Sequence, residues 1–193
     1  MMTTSLDLHK FTSDSELWMK APFTASTSEA HWEVATNRYL LVARRVKETS
    51  KSKGPPVRIL LFVVGLLQQY PKNSVTVSLE QLRQDVGTSQ DPGSSVVVAG
   101  VPVNHQVLER LLEELPGERA RVWKFQVTGD EPCLVLDAPT GEWRSFLMGL
   151  DRAVSKADVV KLDPEGDQDE PKEKVGPYES DDLDIDEVFN QWC

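Results

Sequence analysis

Two hydrophobic periods run along this chain, and the places where one gives way to the other mark most of its element boundaries. Trp32, Ala35, Tyr39, Val42 and Val46 recur at steps of three and four, the spacing of one apolar stripe on an α-helix. STSE at 26–29 precedes the stripe as a capping box, in which Ser26 and Glu29 would each satisfy a free backbone N–H. The pattern predicts an amphipathic helix packed on a core and closed by the basic loop SKSKGPP. Val57 to Tyr70 is apolar on every side, as in a buried helix or a buried strand. Its length predicts a helix, stopped by Pro71.

Further along, SVTV is short and β-prone, and SLEQ at 78–81 is a second capping box with Val77 and Leu82 at the staple positions. Leu79, Leu82 and Val86 then make a short helical face ending at Gly87. TSQDPGSS reads as a loop and SVVVAGV as a strand. Asn104 can cap the next helix, whose face is Val107, Leu108, Leu111, Leu112 and Leu115, with Pro116-Gly117 as its end. RVWKFQV alternates and CLVLD returns across TGDEP, which predicts a β-hairpin. Trp143, Phe146, Leu147, Leu150 and Val154 give a last amphipathic helix.

The fold class that follows is α+β, a small mixed sheet with several helices. From Val57 to Asp137 the order helix, strand, helix, helix, strand, strand is also that of a winged helix, with 57–137 as its core. About fifteen residues separate the second and third helices there, where a helix-turn-helix has three or four. Residues 1–25 read as an irregular arm with Phe11, Trp18 and Phe23 as anchors, and 26–160 as one domain. An acidic linker follows at 161–182, and a short helical motif at 183–193.

Composition changes this picture only at the end of the chain. Apolar residues are 39% of the 193 and charged residues 27%, so part of the chain should stay outside the core and disordered. The net charge is −10. From Lys161 onward twelve of the 31 acids meet three of the 21 bases, leaving 19 acids and 18 bases before it. Acidity therefore belongs to the tail. One basic run stands inside the domain: Arg44, Arg45, Lys47, Lys51, Lys53 and Arg58 against Glu48. It reads either as a solvated helix end and loop or as a patch for an anion, a nucleic acid or the tail.

The tail ends in DLDIDEVFNQWC. With Asp184 as N-cap, Glu187 falls at N3, and Leu183 and Val188 occupy the staple positions. Ile185, Val188, Phe189 and Trp192 then share one helical face, and the acids gather at the end the helix dipole favours. A helix of about nine residues is marginal in water, so it forms when its apolar face is covered, by a partner or by the chain's own domain.

Catalytic patterns are missing from the sequence. His9, His31 and His105 stand far apart in no H-x-x-x-H or H-E-x-x-H setting, no Walker, GxGxxG or GxSxG loop occurs, and neither metal nor cofactor is implied. Asp130, Glu131, Asp137 and Glu142 read as turn and cap acids, and Cys133 as an inert core thiol. Residues 103–115 carry three glutamates and one arginine, which disfavours a DNA-reading helix. Two cysteines, no apolar N-terminal stretch and a longest apolar run, Ile59–Leu67, well short of a membrane span point to cytosol or nucleus. The expected function is a non-catalytic adaptor or complex subunit. Leu183, Ile185, Val188, Phe189 and Trp192 would enter a basic-rimmed apolar groove on a protein partner. The alternative is a nucleic-acid-associated regulator using 44–58, with the acidic tail autoinhibitory or activating.

Overall fold

The stretch that reads as a first helix is extended. The computed structural model describes residues 5–11, 22–36, 39–51, 54–88, 95–127, 131–150 and 158–164. In it β1 (Phe23–Ser26), β2 (His31–Thr36) and β3 (Leu40–Val46) form an antiparallel meander. Ser26 Oγ lies 2.8 Å from His31 Nδ1, and Glu29 Oε1 accepts from the Tyr70 hydroxyl at 2.7 Å, so neither residue caps a helix. The sheet is covered on both faces. Trp32, Val34, Leu41 and Ala43 point into one layer, and Ala35, Leu40 and Val42 into the other. Apolar residues on both strand parities imitate steps of three and four.

The middle of the chain follows its pattern. Helix α1 (Val57–Leu67), strand β4 (Val75–Ser78) and helix α2 (Leu79–Gly87) stand where expected. Ser78 Oγ accepts from Gln81 N at 3.3 Å, and Leu79, Leu82 and Val86 are all buried. SVVVAGV is two strands, β5 (Ser95–Val98) and β6 (Val101–Asn104). Their turn has positive φ at both Ala99 (51°) and Gly100 (78°), the backbone of a primed hairpin turn. Asn104 Oδ1 accepts from Val107 N at 3.1 Å and caps helix α3 (His105–Glu114). Strands β7 (Arg119–Gln126) and β8 (Pro132–Asp137) form the expected hairpin.

Residues 143–148 are the second correction. Instead of a last helix they form β9 (Trp143–Met148), seated between β3 and β8. Phe146 faces one layer and Trp143 and Leu147 the other, so again two covered faces produced a helical spacing. Val154 lies outside the described residues. A seven-stranded sheet results, in the order β1-β2-β3-β9-β8-β7-β4 with every neighbouring pair antiparallel. A three-stranded sheet, β10 (Asp158–Val160)-β5-β6, joins β10 to β5 in parallel.

Each face of the large sheet carries its own core. On one side lie α2, α3, the small sheet, and Leu6, Leu8 and Phe11 of the N-terminal segment, the last two on a 3₁₀ turn. On the other lies α1, with Val63, Leu66 and Leu67 over Phe23, Trp32, Trp123, Cys133, Val135 and Phe146. The architecture is α+β, but the 57–137 segment is not arranged as a winged helix. Its first helix is across the sheet from the other two, and the two strands expected as a wing are internal strands. Of the expected anchors, Phe11 and Phe23 are buried and Trp18 is outside the described residues. Leu162 packs half-buried on the same core as α2 and α3.

Candidate functional site

The register of β7, β8 and β9 sets Arg121 opposite Asp137 and Asp137 opposite Arg144. Odd positions of β7 and β8 and even positions of β9 face α1, so all three side chains meet under that helix. Asp137 is 1% exposed and accepts from Arg121 Nε at 2.9 Å and Nη2 at 3.0 Å, a two-pronged pair. Arg144 Nη2 stands 3.3 Å from Asp137 Oδ2. Arg144 Nη1 also donates to Leu67 O at 3.0 Å and Gln69 O at 2.7 Å, carbonyls that the end of α1 leaves without helical partners. Its guanidinium lies over the Trp123 ring, 5.6 Å from the centroid. Burial holds the pKa of Arg144 below the ordinary arginine value, with Asp137 opposing that shift. Two cations on one carboxylate thus fix where the C-terminal end of α1 rests. The cluster positions a surface.

That surface is the outer side of α1. Of eleven residues, VRILLFVVGLL, only Arg58 has a polar side chain. A helix apolar all round is ordinarily buried on all sides, yet Val57 is 70% and Leu61 57% exposed, with Tyr70 66% exposed beyond the helix end. Gly65 continues the Val57–Leu61 row, and a Cβ built there would meet nothing within 4 Å. The row therefore ends in a notch.

The predicted basic run divides around this face. Arg44 points to the opposite side of the sheet, paired with Glu33 at 2.6 Å and donating to Leu6 O at 3.0 Å, where it fastens the N-terminal segment. Arg45 is exposed and lies over the Trp32 ring at 5.5 Å, on the α1 side. Lys47 and Lys51 are exposed on the connection from β3 to α1, which Thr24 Oγ1 ties to β1 through Ser50 O at 3.3 Å. Arg58 is exposed in the first turn of α1, and Lys53 lies outside the described residues. Leu183, Ile185, Val188, Phe189 and Trp192 also lie outside them.

Other chemistry-bearing side chains have structural duties. His105 is buried and its Nε2 donates to Val86 O at 2.7 Å, joining α3 to the end of α2. Cys133 is buried, and burial pushes its thiol up to about 12. Among the described residues no group of three or more His, Cys, Asp or Glu is placed to hold a metal, and no helix is long and apolar enough to cross a membrane. A cleft of about 460 Å³ opens between α2 and residues 161–164, with Glu80, Asp85 and Asp163 against Lys161. Sequence reasoning took Asp137 for a turn acid, and it passed over Arg144. Counting outward from the β7–β8 turn would have set 121 against 137.

No protein-family model matches the chain, and no curated protein matches it. Solved structures do. A DNA polymerase III subunit beta from Borrelia burgdorferi, solved with a natural product, gives a TM-score of 0.45 at 10% identity over 77% of this chain and 60% of that one. A DnaN sliding clamp (DNA polymerase III subunit beta) from Bartonella birtlesii bound to griselimycin gives 0.44 at 10%, over 77% and 61%. A putative DNA polymerase III beta subunit from Eubacterium rectale gives 0.36 at 6%, over 65% and 42%. The chain thus spans about three fifths of the length of the first two.

Proposed function

We propose that this chain is a non-catalytic adaptor or subunit of an intracellular protein assembly, working by docking and not by turnover. The observation that carries the reading is α1, a helix apolar but for Arg58, laid on the sheet with Val57 and Leu61 uncovered. The cations Arg45, Lys47, Lys51 and Arg58 are exposed in the chain around it. Exposed apolar surface rimmed by charge is what protein interaction sites share. The second docking element is the 183–193 segment. Its acids would be drawn to a basic rim on a partner, and Ile185, Val188, Phe189 and Trp192 would enter the partner's groove.

A second reading, nucleic-acid association, draws on Arg45, Lys47, Lys51 and Arg58, which leave their charges toward solvent. Opposing it, Arg44 is spent on Glu33 and Leu6, and Arg121 and Arg144 on Asp137. Two measurements separate the readings. Joint replacement Phe189→Ala and Trp192→Ala should abolish capture of a defined set of proteins and leave the thermal midpoint in place. Retained capture would overturn the adaptor reading. Salt-dependent binding of a generic duplex that strengthens when residues 165–193 are removed would favour the nucleic-acid one.

A further inference from the structure

The open face of α1 poses a physical problem. An eleven-residue helix whose only polar side chain is Arg58 has little reason to leave one side in water. The cover it lacks must be apolar, must tolerate or attract cations, and must fit a row of Val57, Leu61 and the Gly65 notch.

A second copy of the same face fits badly. In a two-fold interface the same patch faces both ways, so two sets of Arg58, Lys47 and Lys51 would share one interface. The chain itself carries the complementary piece. Residues 165–193 hold eleven acids against two lysines, and they end with an apolar stripe at helical spacing. Two helical stripes of similar length can interlock, with an aromatic ring seated where Gly65 provides no side chain.

Reach permits it. The last described residue, Pro164, is at the α2 side of the large sheet, beside Val77 and Gln81. The sheet is about 30 Å across its seven strands. The eighteen residues from 165 to 182 span up to about 60 Å when extended, and about 25 Å as a random coil. A tether of that kind gives its end an effective concentration on the order of millimolar, so an intrinsic Kd of that size leaves about half the molecules docked.

We infer that the outer face of α1 is the resting seat of the chain's own residues 183–193, held there as a short amphipathic helix that a partner must displace. The inference rests on the reading of 183–193 as a docking motif and names its occupant-free state as the active one. Partner affinity is then set by the difference between two seats for one segment, and any change that loosens the seat on α1 strengthens the partner.

The natural thiols allow a direct test on the full chain. Cys133 is buried and its ionisation is suppressed, so a nitroxide reagent at neutral pH should modify Cys193 alone. The label should attenuate the amide signals of residues 57–65 about twofold or more relative to the same sample after reduction. Leu61→Glu, at a site 57% exposed, should restore them. Phe189→Ala with Trp192→Ala should restore them as well. Unattenuated signals at 57–65 would overturn the inference, as would attenuation that Leu61→Glu leaves unchanged. Attenuation seen only between a labelled chain and a separate isotope-enriched one would make a second copy the occupant and overturn it too. Loss of capture on Phe189→Ala with Trp192→Ala, with α1 unattenuated, sinks this inference and spares the adaptor reading. Attenuation without any capture does the reverse.

Discussion

Arg144 joins Asp137 to the end of α1: one nitrogen faces the buried carboxylate at 3.3 Å while another bonds Leu67 O and Gln69 O at 3.0 and 2.7 Å. The two residues do unequal work. Asp137 is the one counter-charge shared by two guanidinium groups, whereas Arg144 is one of its two cations and also closes a helix.

Asp137→Ala should therefore be the costlier change. It leaves Arg121 and Arg144 partly buried without their counter-charge, worth about 3–5 kcal/mol. Arg144→Met keeps the Arg121–Asp137 pair and should cost less, while faster amide exchange at 66–69 reports a loosened α1 end. Urea unfolding of both single variants and the double variant gives the coupling. A double variant no worse than Asp137→Ala confirms that the two act as a unit.

At the β5–β6 turn Ala99 holds φ at 51° ahead of Gly100. An alanine there lacks the local side-chain hydrogen bonds that make asparagine tolerant of this region. Ala99→Asn should raise stability by roughly 0.5–1 kcal/mol, measured as a shift in the urea midpoint. An unchanged or lower midpoint would mean that packing of the half-buried Ala99 methyl outweighs turn preference.

Gly149 follows β9 so closely that a Cβ would lie 2.6 Å from Pro132 O. The same carbonyl accepts from Gly149 N at 2.8 Å. Gly149→Ala must push the start of β8 away from the end of β9, and should cost about 1–3 kcal/mol. Gly87→Ala is the control: a Cβ there meets nothing within 4 Å, and stability should hold or rise.

Cys133 supplies a pH prediction. Its thiol pKa is raised from 9.0 to about 12 by burial. A raised folded value means that the stabilisation is complete below about pH 9, where the unfolded thiol begins to ionise, and is lost as pH climbs toward 12. Thermal midpoints should fall from about pH 9 upward. Over that range Cys133→Ala should fall less steeply than the parent, whatever its stability at neutral pH. Parallel curves would refute the assignment.

How much of this was legible before folding depends on how many faces an element buries. Helices α2 and α3 each bury one stripe and carry a side-chain cap, Ser78 and Asn104, so periodicity and capping agreed and both were found. Helix α1 was found by length. Strands β2, β3 and β9 are covered on both sides, and their filled-in apolar pattern passed for a helix twice. Within the candidate site, Arg45, Lys47, Lys51 and Arg58 were visible as a charge run, but that Arg44 turns away is a fact of strand parity. The Asp137 cluster needs the register of three strands, two of them 16 residues apart at Arg121 and Asp137, and the third had been assigned to a helix.

The pairing of β3 with β9 has a consequence for how the molecule is made. Leu40 meets Leu147 and Arg44 meets Trp143, partners roughly a hundred residues apart. During synthesis β1 to β3 emerge long before the strand that completes them, leaving the hydrogen-bonding edge of Leu40–Val46 unclaimed while roughly a hundred further residues are made. Assembly of the large sheet thus waits for β9 to be made, and slow ribosome transit between β3 and β9 would lengthen the interval in which nascent copies can join to one another instead.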